Sequence, residues 1–246
     1  MYQGRSRGHL YDRITMRSSP RRKSFSDRFP YLGPLIWIAT VEYFVIQYIV
    51  AAKWPTPYSL LRNPISDLGN TRCGTYGGRY VCSPQHWLMN LAFVALGVLM
   101  AAGAPLIHEE FRAHRLAFVG FIGMGVAGAG TILVGLSPEN VNYTFHVLGA
   151  SGPFLVGNAA LIILACTLTI SRSLGVITGI FGGIGLVGLL LFATGVDLGL
   201  GQGGMERVAA YPQTIWLIIF GMYMSKTHYL KRRQLRREVA LHGSVA

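Results

Sequence analysis

Six long apolar runs constrain this chain more than any other feature of its sequence. Each is close to the roughly 20 residues that a helix rising about 1.5 Å per residue needs to cross about 30 Å of hydrocarbon. The composition agrees, because 51% of the residues are apolar and only 13% are charged. We therefore predict an all-α, polytopic membrane protein, a bundle of six transmembrane helices. The predicted spans are residues 31–52, 87–107, 116–136, 145–170, 174–194 and 208–225.

Lys and Arg residues concentrate at the two ends of the chain, with eight in residues 1–30 and six in residues 226–246. Cytoplasmic loops of membrane proteins carry an excess of these residues. With the N-terminus inside, 17 of the 22 Lys and Arg residues fall on the inner side and five on the outer side. Six crossings return the chain to the side on which it starts. We therefore predict a plasma-membrane protein with both termini in the cytoplasm, N-in/C-in.

Three regions follow: a disordered basic tail over residues 1–30, a transmembrane domain over 31–225 and a second basic tail over 226–246. The net charge of +12 does not indicate nucleic-acid binding, because such a protein presents its basic residues on one folded face. The tails either lie on anionic lipid or only set the topology. We expect membrane lipids as partners and no nucleic acid.

Two of the three cysteines, Cys73 and Cys82, share the first predicted outer loop. Thiols outside the cytoplasm meet an oxidising compartment, and the glycine-rich sequence between these two allows them to approach. Metal binding by the pair is less favoured, because neither has a second cysteine two to four residues away. We predict a disulfide between Cys73 and Cys82.

Glycines on the predicted fifth span recur every fourth residue, at Gly175, Gly179 and Gly183. Small residues at this spacing let helix backbones approach closely. The face packs inside the bundle or joins two copies of the chain, and we favour the first. An oligomer is compatible with the sequence, but no feature supports one.

Polar residues gather at the outer ends of the predicted spans, in three segments that are distant in sequence. His86 and Asn90 share a helix face, since residues four apart are neighbours on a helix. If the three segments converge, they form a polar pocket that opens to the outer leaflet. Its candidate residues are Ser66, Asp67, Asn70, His86, Asn90, Glu139, His146, Glu206 and Arg207.

Such a pocket suits a polar headgroup. Arg207 can clamp phosphate or carboxylate, carboxylates can accept hydroxyl donors, and a histidine can act as acid or base near neutral pH. A metal site built from His86, His146 and a carboxylate is chemically allowed, but no HExxH or CxxC signature supports it. We expect no metal and no cofactor, and no particular catalytic residue is assigned.

Each candidate also has a simpler interpretation. Asn63 before Pro64 and Ser137 before Pro138 are typical helix starts, so Asp67 and Glu139 can merely favour helix N-termini. A histidine at a membrane interface is often only a polar tip among headgroups.

Three further polar residues, Glu42, Asn158 and Gln213, fall within the predicted spans, where polar groups are costly. We expect Glu42 to form a buried hydrogen-bonded pair, with Asn158, Gln213 or Thr214 as the candidate partners, or to be protonated. A proton or ion path through Glu42 is the alternative.

Three motifs follow one another along the chain: NPISDLGN from Asn63, HVLGASGPF from His146 and GMERVAAYPQTIW from Gly204. With them the chain resembles, over about residues 31–225, the bacterial and archaeal membrane family catalogued as domain of unknown function 998. The resemblance implies a six-span bundle of undefined activity. It points to Ser66, Asp67, Asn70, His146, Glu206 and Arg207.

Three functions fit these observations. The favoured one is binding or handling of a lipid or small amphiphile in the outer polar pocket. The second is a membrane-embedded hydrolase or transferase that uses histidine and carboxylate chemistry. The third is a structural or partner-binding membrane protein that acts through its glycine-rich helix faces and basic tails.

Overall fold

The computed structural model describes residues 25–111, 114–168 and 171–243, and 77% of these are helical. Most of the predicted disordered tail, residues 1–24, lies outside the described residues. The described helices are α1 (Phe25–Arg28), α2 (Leu32–Ile38), α3 (Glu42–Ala52), α4 (His86–His108), α5 (Arg115–Leu136), α6 (Tyr143–Ser151), α7 (Asn158–Ala165), α8 (Arg172–Thr194) and α9 (Gly201–Gly243).

Five helical segments of the described chain are long and apolar enough to cross a membrane. Helix α9 contains the predicted sixth span, residues 208–225, but it is not among the five. Its apolar stretch is interrupted by Tyr211, Pro212, Gln213 and Thr214. By length and composition, the five segments are Leu32–Ala52, His86–Phe111, Arg115–Leu136, Tyr143–Ala165 and Arg172–Thr194.

The helix boundaries differ from the predicted spans in three places. A 3₁₀ turn, Ala39–Val41, joins α2 to α3 inside the predicted first span. The predicted span 145–170 ends as helix at Ala165, and a π-helical turn, Gly152–Gly157, interrupts it. Pro153 lies in this turn and has no N–H to donate, which disturbs regular helical hydrogen bonding. Helix α9 also continues through most of the predicted tail 226–246.

Close backbone packing and a buried aromatic cluster hold the helices together. A Cβ atom on Gly97 of α4 would overlap the carbonyl oxygen of Gly128 in α5, so only glycine permits this approach. Helix α9 packs against α2 and α8. Trp37 of α2 lies against Trp216 and Phe220 of α9, with ring centroids 5.6 and 5.8 Å apart.

A small hairpin covers one end of the bundle, where β1 (Gly74–Tyr76) pairs antiparallel with β2 (Arg79–Val81). Gly77 and Gly78 form its turn with φ of 54° and 75°, the left-handed conformation that a two-residue hairpin turn requires. The predicted disulfide between Cys73 and Cys82 is confirmed and closes the base of this hairpin.

Two other parts of the chain lie at this end of the bundle: the connection between α5 and α6, and the start of α9. The Gly204 amide donates to the carbonyl of Leu61 at 3.1 Å, which ties α9 to the segment between α3 and the hairpin. Thr71, which precedes the hairpin, and Asn140, in the connection between α5 and α6, form two hydrogen bonds of 3.1 Å each. The three polar segments of the sequence therefore meet at one end of the helices.

Candidate functional site

A 3₁₀ turn, Ser66–Gly69, forms the centre of the site. The residues before it are held by Tyr58, whose hydroxyl contacts the carbonyls of Asn63 and Pro64 at 3.0 and 2.8 Å. Pro64 fixes its own φ, which restricts the chain as it enters the turn. Because the turn is anchored on this side, the Ser66 side chain has a defined direction.

Glu206 of α9 reaches this turn and is only 4% exposed. One of its carboxyl oxygens, Oε1, lies 2.8 Å from the Ser66 hydroxyl, which donates to it. The other oxygen, Oε2, accepts from the Ile65 amide. Burial raises the pKa of the Glu206 carboxyl above its ordinary value. Burial disfavours the ionised form of a carboxyl group.

His146 of α6 approaches Ser66 from the other side. Its Nε2 lies 3.0 Å from Ser66 Oγ, and its Nδ1 lies 2.9 Å from the carbonyl oxygen of Ser137. A carbonyl can only accept, so Nδ1 carries a proton in this arrangement. The ring is thereby held with Nε2 directed at the serine.

These contacts allow two proton arrangements with the same total charge. In one, Glu206 is ionised, the Ser66 hydroxyl donates to it, and His146 is an imidazolium that donates from both nitrogens. In the other, Glu206 is protonated and donates to Ser66, whose own proton points to Nε2 of a neutral His146. Moving protons through the Ser66 hydroxyl converts one arrangement into the other. The three side chains, which we name the Ser66 relay, form one proton-sharing unit.

The Ser66 relay lies in the wall of a cavity between the helices. The cavity volume is about 40 Å³, and it is about 490 Å³ when the open mouth and all space between the lining atoms are included. Gln213 and Thr214 of α9 add polar atoms to the lining, and most of the remaining wall is apolar. That wall includes Phe93, Leu96, Met100, Val134, Ala150 and Phe154.

Arg207 points away from this cavity and is enclosed by hydrogen-bond acceptors. Its Nη1 donates to the carbonyls of Leu60, Asn63 and Gly203 at 2.7 to 2.9 Å. Its Nη2 and Nε contact the hydroxyls of Tyr58 and Tyr211 at 2.7 and 3.2 Å. The guanidinium is thus engaged by the protein itself, where the sequence suggested a clamp for phosphate or carboxylate.

Asp67 belongs to a second network beneath the hairpin. Its side chain is fully buried, and both of its oxygens accept from Arg79 of β2, at 2.7 Å from Nε and 2.6 Å from Nη2. Asn70 donates to Glu139 at 3.1 Å close by. We name Asp67, Arg79, Asn70 and Glu139 the hairpin network.

Glu139 is 8% exposed and lies near two other carboxyl groups. Burial raises its pKa to about 8, and the nearby charges of Asp67 and Glu206 add to the shift. The Tyr76 hydroxyl of the hairpin also donates to the Glu139 carbonyl at 3.1 Å. This network therefore fastens the hairpin to the connection between α5 and α6.

The two remaining outer candidates lie at the start of α4. The side-chain amide of Asn90 donates to the backbone carbonyl of Gly69 at 2.9 Å and so supports the end of the Ser66–Gly69 turn. His86 is the first residue of the helix and is partly exposed. None of the hydrogen bonds among the described residues joins His86 to the Ser66 relay or the hairpin network.

The three intramembrane candidates lie in different surroundings. Asn158 is fully buried and donates to the carbonyls of Phe154 and Ala209 at 2.8 and 2.9 Å, which links α7 to α9. Gln213 lines the cavity and contacts the Met124 sulfur at 3.7 Å. Glu42 is partly buried, and its Oε1 atom is enclosed without a hydrogen-bond partner among the described residues. No hydrogen bond joins these three to one another.

The sequence did not single out several residues that the structure brings into the site. Arg79 had one usable signal, since it is the only charged residue between the two cysteines. Tyr58 and the Ser137 carbonyl carried no such signal. Among the described residues, no group of three or more His, Cys, Asp or Glu side chains is arranged to hold a metal ion.

The helices and the buried polar end define an α-helical integral membrane protein. The chain belongs to the family described as Protein of unknown function (DUF998), whose model matches residues 37–223. The resemblance in the three motifs is thereby confirmed. A search of curated proteins found no match, and a search of solved structures found none either.

Proposed function

We propose that the chain binds a lipid or other small amphiphile, with the polar group of the ligand at the Ser66 relay and its apolar part along the cavity. The observation that carries this proposal is the mixed lining of one cavity. Ser66, His146 and Glu206 form one polar cluster in its wall, and most of the other lining residues are aliphatic or aromatic. Apolar walls with a few convergent polar groups are typical of small-molecule sites.

The size of the cavity limits how the ligand binds. Since a single water needs roughly 10–15 Å³ by the same measure, about 40 Å³ holds only a few water-sized groups. An entire two-chain lipid is too large for this space. We therefore propose that one polar linkage and the adjoining segment of one chain enter, while the rest of the amphiphile stays in the bilayer.

We further propose that the chain lies in the plasma membrane and crosses it six times, with α9 as the sixth span. Both termini then lie in the cytoplasm. Ile215, Ile219 and Met222 of α9 are 36%, 36% and 50% exposed, which suits contact with lipid chains. The basic segment that begins at Lys226 follows directly, as expected at a cytoplasmic boundary. This topology puts the Ser66 relay at the level of the outer leaflet.

Photocrosslinking tests the proposed ligand site. The purified protein in lipid nanodiscs is incubated with a fatty alcohol that carries a diazirine in its chain, irradiated, and digested for mass spectrometry. We expect saturable labelling of peptides that line the cavity. Ala210→Leu fills part of the cavity wall and should reduce that labelling about tenfold, which corresponds to about 1.4 kcal/mol of binding free energy.

Ala193→Leu is the matched control. Ala193 is exposed on α8, so this substitution adds the same atoms outside the cavity. It should leave cavity labelling unchanged. Equal labelling in all three proteins, or labelling confined to outward-facing residues, would refute the proposed site.

A further inference from the structure

The Ser66 hydroxyl has the surroundings of a nucleophile as well as those of a ligand contact. It lines the cavity and lies 3.0 Å from Nε2 of His146, within the range over which a base can take its proton. The Ser137 carbonyl holds the opposite nitrogen of the same ring at 2.9 Å. A nucleophile, a base and a group that orients the base are the parts that activated serines share.

Glu206 completes the geometry without competing for the cavity. Both of its oxygens are engaged at the turn, by Ser66 and by the Ile65 amide. When Glu206 is protonated, it donates to Ser66, and the serine proton is directed at His146. This arrangement leaves a neutral imidazole that is ready to act as a base.

We propose that Ser66 is the nucleophile and His146 the general base of an acyl-transfer site that cleaves carboxylic esters of amphiphiles. The inference rests on the proposed function, because the cavity has to receive the ester and the adjoining acyl chain. Glu206 is a positioning residue that directs the Ser66 hydroxyl and its proton.

In the first half of the reaction, Ser66 Oγ bonds to the ester carbonyl carbon while its proton passes to His146 Nε2. The tetrahedral intermediate then collapses, the bond from the carbonyl carbon to the alcohol oxygen breaks, and the proton on Nε2 goes to that oxygen. The alcohol leaves, and the acyl group remains on Ser66.

In the second half, water attacks the acyl carbon and gives a proton to Nε2. The bond to Ser66 Oγ breaks, and His146 returns the proton to the serine. The products are a carboxylic acid and the original enzyme. An acceptor alcohol in place of water gives a new ester by the same steps.

An alkyl fluorophosphonate tests this site, because phosphonylation reports an activated serine without knowledge of the natural substrate. Ser66 Oγ bonds to phosphorus, fluoride leaves, and His146 takes the proton. With the protein in nanodiscs, we expect one adduct, mapped to Ser66 by mass spectrometry. Ser66→Ala should abolish it, and His146→Gln should slow it by about 100-fold or more, the usual contribution of a general base.

Ser151→Ala is the matched control, since Ser151 is an exposed serine on α6, the helix that carries His146. It should label at the wild-type rate. Glu206→Gln keeps a donor for Ser66 and an acceptor for the Ile65 amide, so it should label faster than Glu206→Ala. Equal rates for these two variants would remove the positioning role of Glu206.

The diazirine experiment separates the two proposals. Cavity crosslinking without a fluorophosphonate adduct at Ser66 would overturn the catalytic inference and leave amphiphile binding intact. An adduct that persists in Ser66→Ala would also overturn it. Loss of both signals in the wild-type protein would refute the cavity as an amphiphile site and the catalytic inference with it.

Discussion

Ser66 and Asp67 are neighbours on one 3₁₀ turn, yet they belong to networks of different kinds. Asp67 is fully buried, and Arg79 engages both of its oxygens. Ser66 faces a cavity and contacts two side chains that can exchange protons, His146 and Glu206. Within the hairpin network, both carboxylate oxygens of Asp67 are paired with Arg79, whereas the Ser66 relay adjoins space that another molecule can occupy.

The same contrast separates Glu206 from Arg207 one residue later. Arg207 donates to three carbonyls and contacts two tyrosine hydroxyls, all from the protein itself. A charged residue in a polar cluster is therefore a poor guide to a ligand site until its partners are known. We expect Arg207 and the hairpin network to govern stability, and the Ser66 relay to govern function.

The largest effect on stability should come from Arg207→Ala. It leaves the carbonyls of Leu60, Asn63 and Gly203 without their donor, and we expect the free energy of unfolding to fall by about 4 kcal/mol. Denaturant unfolding in detergent micelles measures the change. Arg62→Ala is the control, because Arg62 is an exposed residue of the loop that carries Leu60 and Asn63. Similar losses in both variants would contradict a structural role specific to Arg207.

Asp67→Asn should have the next largest effect, a loss of about 3 kcal/mol, because it leaves the Arg79 guanidinium partly buried without its charged partner. A double-mutant cycle with Arg79→Met measures the coupling between the two side chains, which we expect to be about 2 kcal/mol. Additive losses would show that the ion pair does not stabilise the hairpin.

Glu139 should make stability depend on pH, because its buried carboxyl group lies near two others. Its pKa is raised from 4.5 to about 8, so the folded state holds a proton that the unfolded state releases in this window. The stabilisation is complete below pH 4.5 and is lost as the pH rises through about 8.

Thermal unfolding between pH 5 and 9 measures this dependence. Glu139→Gln should reduce the decline in unfolding temperature across that range, while Asp197→Asn, at an exposed carboxylate, should not. If both variants follow the wild-type curve, Glu139 is not the responsible group.

The smallest effect on stability should come from Ser66→Ala, with a loss of about 1 kcal/mol, the usual net value of a hydrogen bond. The same change should abolish labelling of the cavity serine. Unfolding measurements on the variant used for labelling test this directly. A loss as large as that of Asp67→Asn would place Ser66 with the structural residues.

The helical architecture was largely predictable, because long apolar runs encode membrane helices by length alone. The first five runs correspond to helices that can span a membrane. Helix α9 was harder to recognise as a span from its hydropathy, because Tyr211 and Gln213 reduce its apolar character. Both residues form hydrogen bonds inside the bundle. The π-helical turn at Pro153 and the extension of α9 to Gly243 depend on packing and local geometry that hydropathy does not record.

The candidate site was predictable only as a set of residue types near one end of the spans. The contact between Ser66 and His146 joins positions 80 residues apart, so it depends on how helices pack. The role of Arg207 could not be foreseen, because backbone carbonyls are its main partners and every residue has one. Asn90 and His86 share a helix face, yet only Asn90 contacts the Ser66–Gly69 turn.

An experimental structure in lipid nanodiscs, determined with a single-chain ester analogue, tests the central claim most directly. We predict elongated density along Phe93, Leu96 and Phe154, with its polar end within hydrogen-bond distance of Ser66 Oγ and His146 Nε2. Density for lipids only around the outside of the helices, with the cavity empty or filled by water, would contradict the account.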